Sequence, residues 1–142
     1  MAPICNITIT AVKPHRLPFP ATNDISLGAE LKRKRLDLEW SQDDTAKYFG
    51  VLKDSYQYWE WNQYLPHIKN RKKVVEFLGF NYWYDDTNSL SNKCLLYRIE
   101  YGLTMSELAQ KINVSVRTIE RIENNEMYIS DEMSKKVKEY IK

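Results

Sequence analysis

Residues 105–125 read MSELAQKINVSVRTIERIENN, and the fold is decided in this stretch. Leu108, Ile112, Ile119 and Ile122 recur at the spacing of an amphipathic helix. The period breaks once, at Asn113, Val114 and Ser115. Asn tolerates a left-handed backbone better than any other residue with a side chain. Ser115 can cap a new helix by accepting from its first free N–H groups. Upstream, Thr104 and Glu107 have the spacing of a capping box, in which each satisfies the other's exposed donor. Two short helices therefore meet at a tight turn, with the small Ala109 where they must approach closely.

That arrangement is a helix-turn-helix, whose second helix can enter a DNA major groove. LAQKI at 108–112 followed by NVSVRTIERIEN at 113–124 resembles the Cro/repressor-like (XRE-type) family of phage and bacterial DNA-binding regulators. The resemblance implies an all-α, lambda-repressor-like fold and double-stranded DNA as the partner. A helical hairpin in some other all-α domain would need the Ala, the turn residue and the Ile spacings to agree by coincidence.

Internal repetition extends the reading across the chain. A shift of sixty-three residues, which lays Gln42 on Met105, aligns Ser26–Asn62 with Ser89–Asn125 without a gap. Ser26 and Leu27 fall on Ser89 and Leu90, Arg35 on Arg98, Ala46 on Ala109, Val51 on Val114, Glu60 on Glu123 and Asn62 on Asn125. Gly50 meets Asn113, both turn formers. Tyr56 and Trp59 meet Ile119 and Ile122, all apolar. The expectation is a tandem pair of helix-turn-helix domains, at 26–80 and 89–142, joined by an aromatic linker at 81–88.

Residues 1–25 read as an extended or disordered arm. Ile4 to Val12 alternates loosely between β-branched and polar residues, and Pro14, Pro18 and Pro20 oppose a following helix. Two readings fit this arm: a loosely docked leader, or a basic segment carrying Lys13, His15 and Arg16 along DNA. Ser26 then caps a first helix that ends near Glu39 and buries Leu27, Leu31 and Leu36. A second helix runs from Ser41 through Phe49 to a turn at Gly50. A third, from about Lys53 to Trp61, buries Tyr56 and Trp59 and stops at Asn62. Pro66 opens a fourth, which carries Ile68, Val75 and Leu78 and closes at Gly79. FNYWYDDTN at 80–88 is too aromatic for a free linker, so Phe80 and Trp83 should be partly buried at a semi-rigid junction. A last helix from near Ser130 should bury Met133, Val137 and Tyr140 or Ile141.

Composition narrows the function. With 4 Gly and 5 Pro the chain is neither β-rich nor low-complexity, and no apolar run reaches membrane-spanning length. The first residues lack the pattern of a signal peptide. Cys5 and Cys94 stand far apart, as do His15 and His67, which fits a reducing cytoplasm and gives no metal-ligand spacing. There is no phosphate-binding Gly loop and no nucleophile placed beside a base, so neither an enzyme nor a cofactor is expected. The net charge of +2 is modest for a nucleic-acid binder. DNA binding would rest on the distribution of charge, notably Lys32 to Arg35 and Arg71 to Lys73.

In the resembled family the start and outer face of the third helix reach bases, and the start of the second helix meets phosphate. Carried over by position, the first unit offers Gln42, Lys53, Asp54, Gln57 and Tyr58. The second offers Ser115, Val116, Arg117, Glu120 and Arg121. Arg117 and Arg121 are four residues apart on one helix face, and Arg suits guanine O6 and N7. The family's Gln at the second-helix start is Met105 here, which removes one phosphate contact. The resemblance also implies buried ion pairs, Arg35 with Glu60 and Arg98 with Glu123. A transcriptional regulator follows, with a homodimer or a protein partner also allowed. The alternative is an interaction module, or antitoxin-like partner, that keeps the fold without reading bases.

Overall fold

The computed structural model describes residues 19–126 and 128–142. Among them every regular element is an α-helix: α1 (Leu27–Asp37), α2 (Gln42–Phe49), α3 (Lys53–Glu60), α4 (Ile68–Leu78), α5 (Leu90–Tyr101), α6 (Met105–Ile112), α7 (Val116–Glu123) and α8 (Asp131–Tyr140). The expected arm lies outside the described residues as far as position 18.

Most of the helix starts, and several of the ends, have a local cause. Ser26 and Ser89 cap α1 and α5, their hydroxyls accepting from Ala29 and Asn92 N–H. Capping boxes open α2, through Ser41 and Asp44, and α6, through Thr104 and Glu107. Left-handed residues close the turns: Gly50 at φ 71° and Asn113 at φ 60° stand at matching places after α2 and α6. The same holds for Asn62 and Asn125, at φ 56° and 55°. The bounds of α2 and α3 recur in α6 and α7 at the same sixty-three-residue offset, Gln42–Phe49 to Met105–Ile112 and Lys53–Glu60 to Val116–Glu123.

Two cores form. Leu27, Leu31, Ala46, Phe49, Tyr56, Trp59, Val74, Phe77 and Leu78 make the first. Cys94, Leu108, Ala109, Ile112, Ile119, Ile122 and Val137 make the second. The first is predominantly aromatic at its centre, with Phe49 in contact with Tyr56, Trp59 and Phe77. The second is aliphatic.

Some burial expectations need correction. Leu27 and Leu31 are buried as expected, but Leu36 is only half-buried at the edge of the inward face of α1, and on α4 Val74 rather than Val75 points inward. Met133 and Ile141 are half-buried and Tyr140 is exposed, leaving Val137 as the buried residue of α8. Phe80 is exposed. Left-handed Gly79 turns the chain after α4, and Tyr82 and Trp83 do the packing on the first core.

The junction is built from specific contacts. α4 packs against α5. The buried Asn92 of α5 donates its amide to the Trp83 carbonyl at 2.7 Å, and its Oδ1 accepts from Asp85 N–H. Arg71 of α4 lies over the Trp83 ring, 5.0 Å from its centroid. Lys69 reaches Glu107 and Lys72 reaches Glu100, each an exposed pair worth little singly.

Candidate nucleic-acid interface

The α6–turn–α7 segment is assembled from short-range bonds. Glu107 Oε2 accepts from Thr104 N–H at 2.7 Å, and Thr104 Oγ1 accepts from Glu107 N–H at 3.1 Å. Left-handed Asn113 reverses the chain, and Val114 N–H donates to the Ala109 carbonyl. Ser115 Oγ then accepts from Thr118 N–H and starts α7. Ile119 and Ile122 anchor α7 in the core. Its other face presents Ser115, Val116, Arg117 and Glu120 to solvent. Among the described residues Arg117 has no ion-pair partner. Arg121 is half-buried and leans toward Glu126, its Nε 3.5 Å from Oε2 and, among the described residues, without a hydrogen bond. The two arginines thus differ: Arg117 is open to solvent, and Arg121 is partly engaged.

In the first half, α3 exposes Lys53, Asp54 and Tyr58 and holds Gln57 half-buried. Leu52 occupies the N-cap position without a side-chain cap bond, where Ser115 caps α7. Gln42 turns inward. Its amide donates to Glu60 Oε2 at 2.8 Å, and its carbonyl oxygen accepts from Gln57 Nε2 at 2.8 Å. The bond ties the start of α2 to the middle of α3. Sequence reading gave each glutamine a separate role and missed the link, since their separation of fifteen residues belongs to no local motif.

Beneath each surface lies an arginine–glutamate pair. Arg35 Nε and Nη2 donate to the two oxygens of Glu60, at 2.5 and 3.1 Å. Tyr56 hydroxyl donates to Glu60 Oε1 at 2.8 Å, and Arg35 Nη1 to the Trp40 carbonyl. Burial opposes the Arg35 charge, but the Glu60 hydrogen bond and charge outweigh it and hold the guanidinium above its usual pKa. Burial pushes the Tyr56 hydroxyl well up, and Glu60's charge adds to that, so Tyr56 stays a donor. In the second half, Arg98 Nη1 alone spans both Glu123 oxygens, at 2.9 and 2.7 Å, while Nε donates to the Leu103 carbonyl. One half uses the guanidinium fork and the other a single nitrogen.

The basic runs are largely engaged within the protein. Arg35 is in its buried pair, and Arg33 is bonded to Glu30 and the Asp24 carbonyl. Arg71 and Lys72 serve the junction, while Lys73 sits over Tyr48, 4.7 Å from the ring centroid. Burial, then the nearby Arg98 charge, holds Arg71 below its usual pKa. The 71–73 run is therefore packing and junction chemistry rather than a patch open to phosphate.

On sequence grounds the first unit's tyrosines and Trp61 could equally form a protein-binding surface, and Tyr58, Trp61 and Tyr64 are exposed. Tyr58, Trp61 and Tyr64 contact one another edge-on through Tyr58, and Leu52 and Leu65 are exposed. Among the described residues no group of His, Cys, Asp or Glu is placed to hold a metal ion, and no helix is long and apolar enough to cross a membrane.

Neither the curated proteins nor the solved structures contain a match to the chain. Residues 96–141 match a family model described as helix-turn-helix, a span from mid-α5 to the end of α8 that includes the whole α6–turn–α7 segment. The chain therefore carries a helix-turn-helix domain over residues 96–141.

Proposed function

We propose that this chain is a sequence-specific DNA-binding protein of the cytoplasm and a transcriptional regulator. It consists of two tandem helix-turn-helix units, at 26–80 and 89–142, joined by 81–88. The carrying observation is the outward face of α7, where Ser115, Val116, Arg117 and Glu120 lie in the open beyond a left-handed turn. The recurrence of the α2–α3 bounds in α6–α7 supports the tandem reading.

In this reading α7 enters the major groove. Arg117 donates to a guanine edge and Val116 packs on a thymine methyl. The unbonded Arg121 Nε is a donor that DNA can satisfy after a small rotation away from Glu126. In the first unit, α3 presents Lys53, Asp54, Gln57 and Tyr58. Gln42 serves it from within, holding Gln57 in place.

Selection of bound sequences from random duplex DNA tests this reading, with the affinity for the winner followed against salt. The expected result is an enriched motif together with a negative salt slope. Weak binding to all duplexes alike would overturn it. One observation favours a second reading for the first unit alone. The exposed cluster of Leu52, Tyr58, Trp61, Tyr64 and Leu65 has the aromatic character of a protein-interface core. In that case α3 contacts a protein, and the selected motif depends on α7 only.

A further inference from the structure

We propose that the groove between α5 and α8 is a docking site for an acidic amphipathic helix of a partner protein. The inference is independent of the DNA reading, because the groove uses none of the residues assigned to bases or phosphate.

The groove exists because α8 is packed one-sidedly. In the first half, α4 lies against both α1 and α2. α8 packs chiefly on α6, with Val137 in the core and Tyr140 set at 5.9 Å from Tyr97 of α5. The outer face of α5 is left uncovered, and a cavity of roughly 700 Å³ opens along it. That volume is within the usual range of a ligand-binding cleft. Its floor is apolar, formed by Leu90, Leu96, Tyr97 and Ile141, and Tyr101 stands exposed at its edge.

The rim selects the occupant. Lys93, Lys138 and Lys142 line the groove and are exposed, with no ion pair among the described residues. The acidic side chain there, Glu100, has its charge answered by Lys72 at 2.8 Å. The groove is thus apolar at the bottom and positive around the edge. An amphipathic helix places residues i, i+3, i+4 and i+7 in such a groove, and flanking carboxylates would meet the three lysines. A second copy of this chain fits poorly, because a two-fold contact here would set lysines against lysines. A nucleic-acid strand would leave the Leu96 and Ile141 floor without an apolar partner.

The test uses the full chain and two synthetic peptides. Both carry leucine at i, i+3, i+4 and i+7; one is flanked by glutamates and the other by lysines. Fluorescence anisotropy at low salt should show the glutamate peptide binding at least about tenfold more tightly, since like charges at a rim are strongly disfavoured. Backbone amide shifts should map to Leu96, Tyr101 and Lys138. The K138E/K142E double variant changes only exposed side chains and should reverse the preference between peptides. Equal binding of the two peptides, a preference unmoved by charge reversal, or shifts confined to another surface would each overturn the proposal. So would sedimentation as a dimer that Tyr101→Ser converts to a monomer, which would assign the groove to a second copy.

Discussion

Glu60 accepts hydrogen bonds from Arg35, Tyr56 and Gln42, so its buried charge is fully answered. Glu123 depends on Arg98 far more. Replacing one member of a buried pair strands the other, at about 3–5 kcal/mol, whereas apolar replacement of both is often nearly neutral. Arg98→Met should therefore lower stability in chemical denaturation by that amount, and Arg98→Met with Glu123→Leu should recover much of it. A double variant no better than the sum of the singles would show the two residues uncoupled. These pairs were legible because they repeat at one separation in both halves. The Tyr56 and Gln42 bonds were not, since nothing in the second half echoes them: Ile119 and Met105 stand there. On the open side of the protein, Arg117→Ala should relax the selected motif at one base pair, at a cost of about 1–3 kcal/mol. Binding titrations against single-base variants of the site measure it. An unchanged motif and affinity would remove Arg117 from the interface.

Among the elements, the helix ends carry the clearest contrasts between the halves. Glu39 and Gly102 occupy matching places after α1 and α5, both left-handed, at φ 59° and 62°. A side chain there costs about 1–2 kcal/mol, partly offset by the greater freedom that Gly loses on folding. Glu39→Gly should accordingly stabilise the protein by up to about 1 kcal/mol, and Gly50→Ala should destabilise it by about 1–2 kcal/mol. Nothing lies within 4 Å of a Cβ built at Gly50, so that cost is purely backbone. Thermal melts of the two variants should move in opposite directions. The capping box of α6 adds a pH dependence. The Thr104 backbone N–H, helped by Lys69, holds the Glu107 carboxyl below its ordinary 4.5. Its stabilisation is present above pH 4.5 and is lost as pH falls through the lower folded value. Melts of Glu107→Gln should show a flatter acid limb than the parent. Caps and left-handed turns were read from sequence because their chemistry lies within four residues. The inward face of α4 was not: Val74 and Val75 are equally apolar, and only packing against α1 and α2 chooses between them.

For the whole molecule, the junction decides how the two halves behave together. An extended 80–88 segment would let them move independently. Instead Trp83 closes on the first core, lies under Arg71 and accepts from Asn92 of α5. The aromatics of residues 80–88 mark the segment as more than a free tether, but its partners were not legible, because Asn92 and Arg71 carry no marker of packing there. This arrangement gives the protein one local optical reporter beside a global one. All four tryptophans, at positions 40, 59, 61 and 83, precede α5, so indole emission follows the first half and the junction and is silent on the second core. Far-ultraviolet dichroism follows the helices of both. If Asn92, Arg71 and the paired lysines bind the halves into one cooperative unit, the two signals should change at the same denaturant concentration. Asn92→Ala should then pull the transitions apart, with emission and dichroism recording two separate melting events in a single chain.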